Sequence, residues 1–163
     1  MKKLLIMGVA GCGKSTIAQM LSARLACCMI EADDYHPAAN INKMKSGQPL
    51  CDIDRLVWLQ ALLESIDNKL SAEKGMIVAC SALTHAIQEQ FIKRKFLIVF
   101  LDIPIDVAKK RLENRKNHFF GAELLPSQYT ALEEPFVSIK IKAIKARNEI
   151  VEQLTNIISA AES

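Results

Sequence analysis

A glycine-rich segment near the amino terminus has the residue types and spacing of a polyphosphate-binding loop. It fits the pattern G-x-x-x-x-G-K-[ST] and consists of Gly8, Val9, Ala10, Gly11, Cys12, Gly13, Lys14, Ser15 and Thr16. Such a loop turns its backbone N–H groups inward, and glycine reaches the required dihedral angles without steric cost. Lys14 also opens a predicted helix, whose dipole attracts anions. The segment predicts nucleotide binding, with Lys14 at the β- and γ-phosphates and Ser15 as a ligand of Mg²⁺.

Nucleotide binding does not define the reaction, because the same loop serves switches, motors and kinases. A regulatory GTPase would need an N-K-x-D segment, whereas residues 67–70 read D-N-K-L inside a predicted helix. A motor ATPase would place an acidic residue at the end of the predicted strand 76–80, which has none. Acidic residues instead lie at the end of the second predicted strand, as Glu31 and Asp33. Since the carboxyl ends of parallel strands line the ligand crevice, both side chains are expected to face the phosphates.

Several blocks downstream of the loop resemble the gluconate kinases. They are E-A-D-D-Y-H-P at 31–37, N-I-N-K-M at 40–44, S-G at 46–47, P-L at 49–50, D-I-D-R at 52–55, W-L at 58–59, C-S-A-L at 80–83, R-L at 111–112, R-K-N-H-F-F at 115–120, S-Q at 127–128 and L-E-E-P at 132–135. Independent blocks in the right order are far more specific than any one block. The resemblance covers most of the chain, from the phosphate loop to about Pro135.

The resemblance implies ATP-dependent phosphorylation of D-gluconate at its 6-hydroxyl, giving 6-phospho-D-gluconate and ADP. It implies an α/β P-loop fold of three layers, similar to shikimate and nucleoside monophosphate kinases, with a five-stranded parallel sheet, flanking helices and a lid at about 113–127. It further suggests a homodimer. The alternatives are a kinase for another small hydroxy acid such as shikimate, or a non-catalytic nucleotide-binding regulator, against which the intact Lys14, Ser15, Asp33 and Arg115 speak.

The resemblance gives Asp33 the role of accepting the proton of the attacking hydroxyl, or of orienting that hydroxyl. The alternative is that Asp33 caps a following helix. Glu31 would help Ser15 to hold Mg²⁺, through water. The family often has aspartate at the position of Glu31 and glycine at that of Ala32, so the chain departs from the family pattern beside the metal.

Gluconate carries a carboxylate opposite its reacting hydroxyl, and Arg55 is the predicted partner, because guanidinium binds carboxylate through two parallel hydrogen bonds. The alternative is an internal salt bridge with Asp52 or Asp54. Trp58, one turn further on, either walls the pocket or packs in the core. The residues predicted to bind substrate are Asp33, His36, Asn40, Lys43, Arg55, Ser81 and His118. Among these, Asn40 and Lys43 would contact substrate or merely brace their segment.

Arg111 and Arg115 lie four residues apart, on one face of a predicted helix, just before the lid. Arginines on a lid neutralise the charge that grows on a transferring phosphoryl group, so both are predicted to be catalytic together with Lys14 and Asp33. The alternative for at least one of them is that it complements the helix dipole.

The elements that must position these residues alternate between strands and helices, as in a parallel sheet covered by helices. The predicted strands are 4–7, 27–31, 76–80, 97–101 and 137–141; the first four are nearly continuous in apolar residues, as for strands buried on both faces, and the fifth alternates like an edge strand. The predicted helices are 14–26, 52–70, a helix with Pro104 in its first turn that runs to about 114, and 146–160. Residues 56, 59, 63, 66 and 70 are predicted to share the apolar face of the second helix.

Composition favours one soluble domain that spans the whole chain. Half of the 163 residues are hydrophobic, and the net charge of +3 is too small to suggest a nucleic-acid partner. No apolar stretch approaches the roughly 20 residues that cross a bilayer, so a cytoplasmic protein is expected. The five cysteines show no metal-ligand spacing and no sign of a disulfide framework.

Overall fold

A parallel sheet forms the centre of the molecule. The computed structural model describes residues 2–115 and 121–161, and within these ranges the strands are β1 (Lys2–Met7), β2 (Cys28–Glu31), β3 (Gly75–Ala79), β4 (Leu97–Asp102) and β5 (Ile139–Lys142). Their order is β2-β3-β1-β4-β5, and every neighbouring pair is parallel. The predicted five-stranded parallel sheet is confirmed.

The two edge strands have different burial patterns. Along β5, Ile141 is buried while Lys140 and Lys142 are exposed, which confirms the edge position predicted from its alternation. The prediction that the first four strands are buried on both faces is wrong for β2. It forms the other edge, pairs only with β3 and leaves Cys28 and Met29 partly exposed.

Helices follow the strands along the chain. They are α1 (Lys14–Leu25), α2 (Ala38–Lys45), α3 (Asp52–Leu70), α4 (His85–Lys93), α5 (Ile105–Glu113), α6 (Leu125–Ala131) and α7 (Arg147–Ala160), with short 3₁₀ turns at Ala32–Tyr35 and Ala122–Leu124. The four predicted helices agree within about one residue, although Pro104 lies at the N-cap of α5 rather than in its first turn. Sequence reasoning did not predict α2, α4 or α6, which are short.

The buried face of α3 differs from the prediction. Trp58, Leu62 and Ile66 are the buried residues of this helix, while Leu56 is 54% exposed. Three of the other predicted positions, Leu59, Leu63 and Leu70, pack partly buried beside that stripe. The buried face of α3, which includes Trp58, therefore lies part of a turn away from the predicted one.

Alternate residues of the strands build two cores, one on each face of the sheet. One core contains Leu4, Ile6, Ile77 and Val99 from the sheet with Ile17 and Leu21 of α1, Ala108 and Leu112 of α5, and Ile150 and Leu154 of α7. The other contains Leu5, Met7, Val78 and Phe100 with Trp58, Leu62 and Ile66 of α3 and Phe91 of α4. This is the predicted three-layer arrangement. Across the described ranges, no helix is both long and apolar enough to cross a bilayer.

Candidate active site

The phosphate loop connects the carboxyl end of β1 to α1 and passes very close to its neighbours. Gly8 has φ +148°, and a Cβ atom there would lie 2.8 Å from the carbonyl oxygen of Leu101 and 2.8 Å from Cys12 Sγ. Gly11 has φ +81°, and its Cβ atom would lie 2.7 Å from the carbonyl oxygen of Ala108. Both positions therefore require glycine for sterics as well as for backbone conformation.

The polar contacts of the loop come from inside and outside it. The Lys14 ammonium donates to the carbonyl of Val9 at 3.0 Å, so it lies folded over the loop. The backbone N–H of Ala10 donates to Oε1 of Gln128, a residue of α6, at 2.7 Å. Lys14, Ala10 and Gln128 all line the same cleft.

Arg111 lies against the back of the loop. Its guanidinium donates to the carbonyls of Ala143 at 2.9 Å and Gly11 at 3.5 Å, and it is not among the residues that line the cleft. These contacts hold the loop against β5 and α5, because each carbonyl takes one end of a rigid planar cation. Arg115, one turn further on, does line the cleft. Arg111 and Arg115 thus have different surroundings, although the sequence predicted a catalytic role for both.

Ser15 and Glu31 form a pair of oxygen donors at the amino end of α1. Burial raises the pKa of Glu31, although the neighbouring Ser15 hydroxyl and the charge of Lys14 oppose the shift. Within residues 2–115 and 121–161, no three His, Cys, Asp or Glu residues are grouped to hold a metal ion. Mg²⁺ usually takes only one or two protein groups, its other ligands being phosphate oxygens and water, so this pair fits it.

Asp33 sits in the 3₁₀ turn Ala32–Tyr35 that follows β2, and Trp58 holds that turn in place. The indole Nε1 of Trp58 donates to the carbonyl of Ala32 at 2.7 Å. The His36 ring stacks on the Trp58 indole, with centroids 4.9 Å apart and planes at 12°. Trp58 is thus both a core residue and a wall of the cleft, which joins the two alternatives that its position left open. Asp33 is not the cap of a helix, since α2 begins at Ala38 with Pro37 at its N-cap.

His36 is fixed from both sides. Its Nε2 lies 3.9 Å from Oδ1 of Asp33, and its Nδ1 lies 3.3 Å from Nδ2 of Asn40. Burial lowers the pKa of His36, while the negative charge of Asp33 opposes the shift. With Asn40 donating to Nδ1, a neutral His36 carries its proton on Nε2, on the side of Asp33.

Asn40 and Lys43 brace this region and are not among the residues that line the cleft. Asn40 is only 1% exposed, and its Nδ2 also donates to the backbone carbonyl of Asp54 at 3.0 Å. Lys43 Nζ lies 2.6 Å from Oδ2 of Asp54, and the hydrogen bond from Lys43 lowers the pKa of Asp54 to about 2. Both contacts fix α2 against the start of α3, which favours the bracing alternative.

Arg55 lies in the first turn of α3 and lines the cleft. Its Nη1 lies 3.3 Å from Oδ1 of Asp52, whose side chain is fully exposed. An exposed pair of this kind contributes about 0–1 kcal/mol, so it leaves the guanidinium available to a ligand. The internal salt bridge and the binding role are therefore compatible.

The loop between β3 and α4 forms a further wall. Ser81 lines the cleft, and Ala82 beside it has φ +45°, a left-handed conformation that is costly for a residue with a side chain. Gln88 of α4 is 2% exposed and donates to the carbonyls of Ala82 at 3.1 Å and Glu133 at 2.7 Å. The second bond joins the loop to the L-E-E-P segment after α6.

The cleft brings most of the predicted site residues together. Those that line it are Ala10, Gly11, Gly13, Lys14, Ser15, Asp33, His36, Arg55, Ser81 and Arg115. Those outside its lining are Gly8, Val9, Cys12, Thr16, Glu31, Asn40, Lys43 and Arg111. His118 and the middle of the predicted lid, 116–120, lie outside the described residues.

Sequence reasoning missed two groups of cleft residues. The polar ones are Thr84, Ser127 and Gln128, of which the last two belong to a block that the resemblance quoted without a role. The apolar ones are Met44, Pro49, Leu50, Ile87, Leu124 and Ala131. Met44, Pro49 and Leu50 of this wall belong to blocks that the resemblance quoted without a role, and the other apolar residues read as core in a sequence.

Comparisons with known proteins agree on the kind of protein that has this cleft. The family model described as shikimate kinase matches residues 10–162. A gluconokinase of Gluconobacter oxydans is 37% identical over 156 residues, which cover 93% of this chain and 88% of the relative. An unliganded sugar kinase from a Janibacter species superposes with a TM-score of 0.88 at 33% identity, covering 98% of this chain and 95% of the other. A gluconokinase from Sinorhizobium meliloti superposes with a TM-score of 0.84 at 31% identity, covering 99% and 94%.

Proposed function

We propose that this chain, which belongs to the gluconokinases of the shikimate kinase family, transfers the γ-phosphoryl group of ATP to the 6-hydroxyl of D-gluconate. The observation that carries the proposal is that a single cleft is lined both by the phosphate loop and by Asp33, His36 and Arg55. A phosphoryl donor and a small polyhydroxy acid can therefore meet there. The products are 6-phospho-D-gluconate and ADP.

The transfer needs alignment and charge neutralisation more than covalent help from the protein. The loop amides and Lys14 hold the triphosphate, and Arg55 holds the carboxylate at the far end of gluconate. The 6-oxygen then forms a bond to the γ-phosphorus while the bond between that phosphorus and the oxygen of ADP breaks. Asp33 takes the proton of the hydroxyl, and its position beside His36 orients that carboxylate.

We assign Mg²⁺ to Ser15 at the start of α1 and, through water, to Glu31 at the end of β2. The ion supplies charge neutralisation on the phosphates when it is bound. Glu31 is half-buried and its pKa is raised, so the cation would also favour the ionised form of that carboxylate. Ser15 needs no change of protonation, because its neutral hydroxyl oxygen can bind the ion directly.

Arg115 is the proposed lid cation. It lines the cleft, whereas Arg111 is committed to the carbonyls of Gly11 and Ala143. A guanidinium that approaches the transferring group neutralises charge that develops only in the transition state, so Arg115 would act on kcat. We infer a cytosolic location as well, because ATP is available there, and the homodimer stays a prediction.

A coupled ADP-release assay tests the proposal. The wild-type chain is offered gluconate, other aldonates, shikimate and nucleoside monophosphates, each with Mg-ATP, and gluconate is expected to give by far the highest kcat/KM. Highest turnover with shikimate would favour the alternative hydroxy acid. If none of these compounds led to ADP release, the chain would be a non-catalytic nucleotide-binding regulator.

Lys14→Ala is the matched control for that assay. We expect kcat to fall by roughly a hundred- to a thousandfold, because the ammonium is a preorganised cation at the phosphates. The circular dichroism spectrum should be unchanged, since the hydrogen bond that Lys14 makes is to the carbonyl of Val9 in its own loop. Unchanged activity would overturn the assignment of the loop.

A further inference from the structure

Gln128 joins α6 to the phosphate loop across 118 residues of sequence. Its Oε1 accepts the N–H of Ala10 at 2.7 Å, and both residues line the cleft. Within the described ranges the other half of this carboxamide, Nε2, has no hydrogen-bond partner. The side chain thus uses its acceptor on the loop and leaves its two donor hydrogens to the cleft.

The helix that carries Gln128 is held independently of it. The next residue, Tyr129, donates from its hydroxyl to the carbonyl of Ile103 at 2.5 Å, beyond the end of β4. Leu125 of the same helix is 1% exposed and packs in the core. The carboxamide is therefore presented from an anchored backbone, which is the condition for a polar group to select a ligand by position.

The place of Ala10 indicates which phosphate the carboxamide meets. Gly13, Lys14 and Ser15 lie at the amino end of α1, where a helix holds an anion. Ala10 precedes that end, and Gln128, which is bonded to Ala10, lines the same cleft as Asp33 and Ser81. The phosphoryl group that is to be transferred has to lie between the loop and the acceptor, in the cleft that the Gln128 carboxamide lines.

We propose that Gln128 distinguishes a nucleoside triphosphate from a diphosphate, by donating from its carboxamide nitrogen to the terminal phosphate while its carboxamide oxygen holds the Ala10 amide. The inference rests on the proposed function only in taking ATP as the phosphoryl donor. ADP has no phosphate at this position, so it gains nothing from the donor. A neutral amide also suits the task, because it adds no long-range attraction for ADP.

The test measures the affinity of the whole chain for ADP and for a slowly hydrolysed ATP analogue, with Mg²⁺ and without gluconate, by isothermal titration calorimetry. Gln128→Glu keeps an oxygen acceptor for Ala10 but replaces the donor by a negative charge. We expect its affinity for the ATP analogue to fall by roughly ten- to a hundredfold, since hydrogen bonds to charged groups are the strong ones. Its affinity for ADP should fall by much less, because ADP does not reach the amide and the added negative charge acts on the diphosphate only from a distance.

Tyr129→Phe is the control for a merely structural role, because it removes a second polar contact of α6, the one with Ile103. It should lower the Tm and leave the ratio of the two affinities as in wild type. If Gln128→Glu weakened ADP and the ATP analogue alike, the residue would be a brace and the inference would be overturned. Tighter binding of the ATP analogue by Gln128→Glu would also overturn the inference, because the Gln128 side chain of the wild type would then compete with the terminal phosphate instead of binding it.

The same samples separate this inference from the proposed function. A changed ratio of affinities together with no ADP release on gluconate would remove the substrate assignment and support the role of Gln128. Turnover of gluconate with an unchanged ratio would remove the role of Gln128 and leave the gluconokinase activity intact.

Discussion

Arg55 is the cation that the cleft offers to the carboxylate of a sugar acid. In Arg55→Ala we expect the KM for gluconate to rise by roughly ten- to a hundredfold, the range for a lost hydrogen bond to a charged group, with the KM for ATP unchanged. Initial-rate kinetics with each substrate varied in turn measure both constants.

Asp52→Asn provides the comparison, because Asp52 is the exposed partner of Arg55. It should leave both KM values within about twofold, since exposed ion pairs contribute little. A rise in the KM for ATP alone in Arg55→Ala would contradict the carboxylate assignment.

Glu31 makes the stability of the folded chain depend on pH. Because burial raises the pKa of Glu31 in the folded chain, the folded state binds this proton more tightly than the unfolded state. Ionised Glu31 therefore opposes folding at neutral pH. That cost vanishes as the pH falls below about 4.3, the pKa of an ordinary glutamate, where both states are protonated.

Glu31→Gln should accordingly raise the Tm at pH 7.5 while lowering turnover. Scanning calorimetry from pH 4 to pH 8 should show the gain in Tm over wild type shrinking toward the acidic end. An equal gain at every pH would mean that the shape of the side chain, not its charge, is responsible.

Individual residues were predictable where the chemistry dictates a residue type. Lys14, Asp33, His36, Arg55 and Arg115 line the cleft as expected. Arg111 was not separated from Arg115, because its partners are backbone carbonyls, which leave no mark in a sequence.

At the scale of elements, the contact between α3 and the turn after β2 decides where Asp33 lies. Trp58→Phe keeps an aromatic surface for His36 but leaves the Ala32 carbonyl without its donor. An unpaired buried acceptor costs about 1–3 kcal/mol, and we expect kcat to fall because the turn loosens. Thermal denaturation and steady-state kinetics check the two effects.

Leu62→Met is the matched variant, one turn further along the same buried stripe. A volume-conserving swap should cost less than about 1.5 kcal/mol and leave kcat unaffected. Equal losses of kcat in the two variants would show that general loosening of α3 is the cause.

Long helices were predictable, and most short ones were not. Helix α3 was predicted with its correct ends, but α2, α4 and α6, with eight, nine and seven residues, were not predicted, whereas the equally short α5 was predicted because Pro104 marks its start. A short helix shows barely two turns of periodicity and takes its stability from tertiary contacts. In α4 one of these is the buried Gln88, which a sequence pattern reads as an exposed position.

At the scale of the whole molecule, Gln88 links the wall after β3 to the chain that leaves α6. Gln88→Leu keeps the size of the side chain but removes the donors to Ala82 and Glu133. We expect a loss of at least about 1–3 kcal/mol, for which the Tm falls by roughly 2–4 °C per kcal/mol. Thermal denaturation measures it, and hydrogen exchange at residues 80–84 should accelerate.

Glu89→Gln is the neighbouring control on the exposed side of α4. It breaks only the pair with Lys93, which contributes about 0.3–0.5 kcal/mol. If both variants had the same Tm, the bridge made by Gln88 would not contribute to stability.

The architecture as a whole was predictable because apolar runs alternate with helical patterns and because the phosphate loop fixes the edge of the sheet that carries the site. The partial burial of β2 was not predictable from the sequence, because strand order depends on contacts between distant parts of the chain. Its apolar residues look the same whether one neighbour or two lie beside them.

The two edge strands, β2 and β5, affect how the folded protein behaves at high concentration. Each is only four residues long, and β5 bears Lys140 and Lys142 on its exposed positions. Amyloid-like growth needs a long, flat, uncharged strand onto which further chains can stack. This sheet offers such growth very little backbone, so the folded protein resists aggregation by strand addition even where its concentration is high.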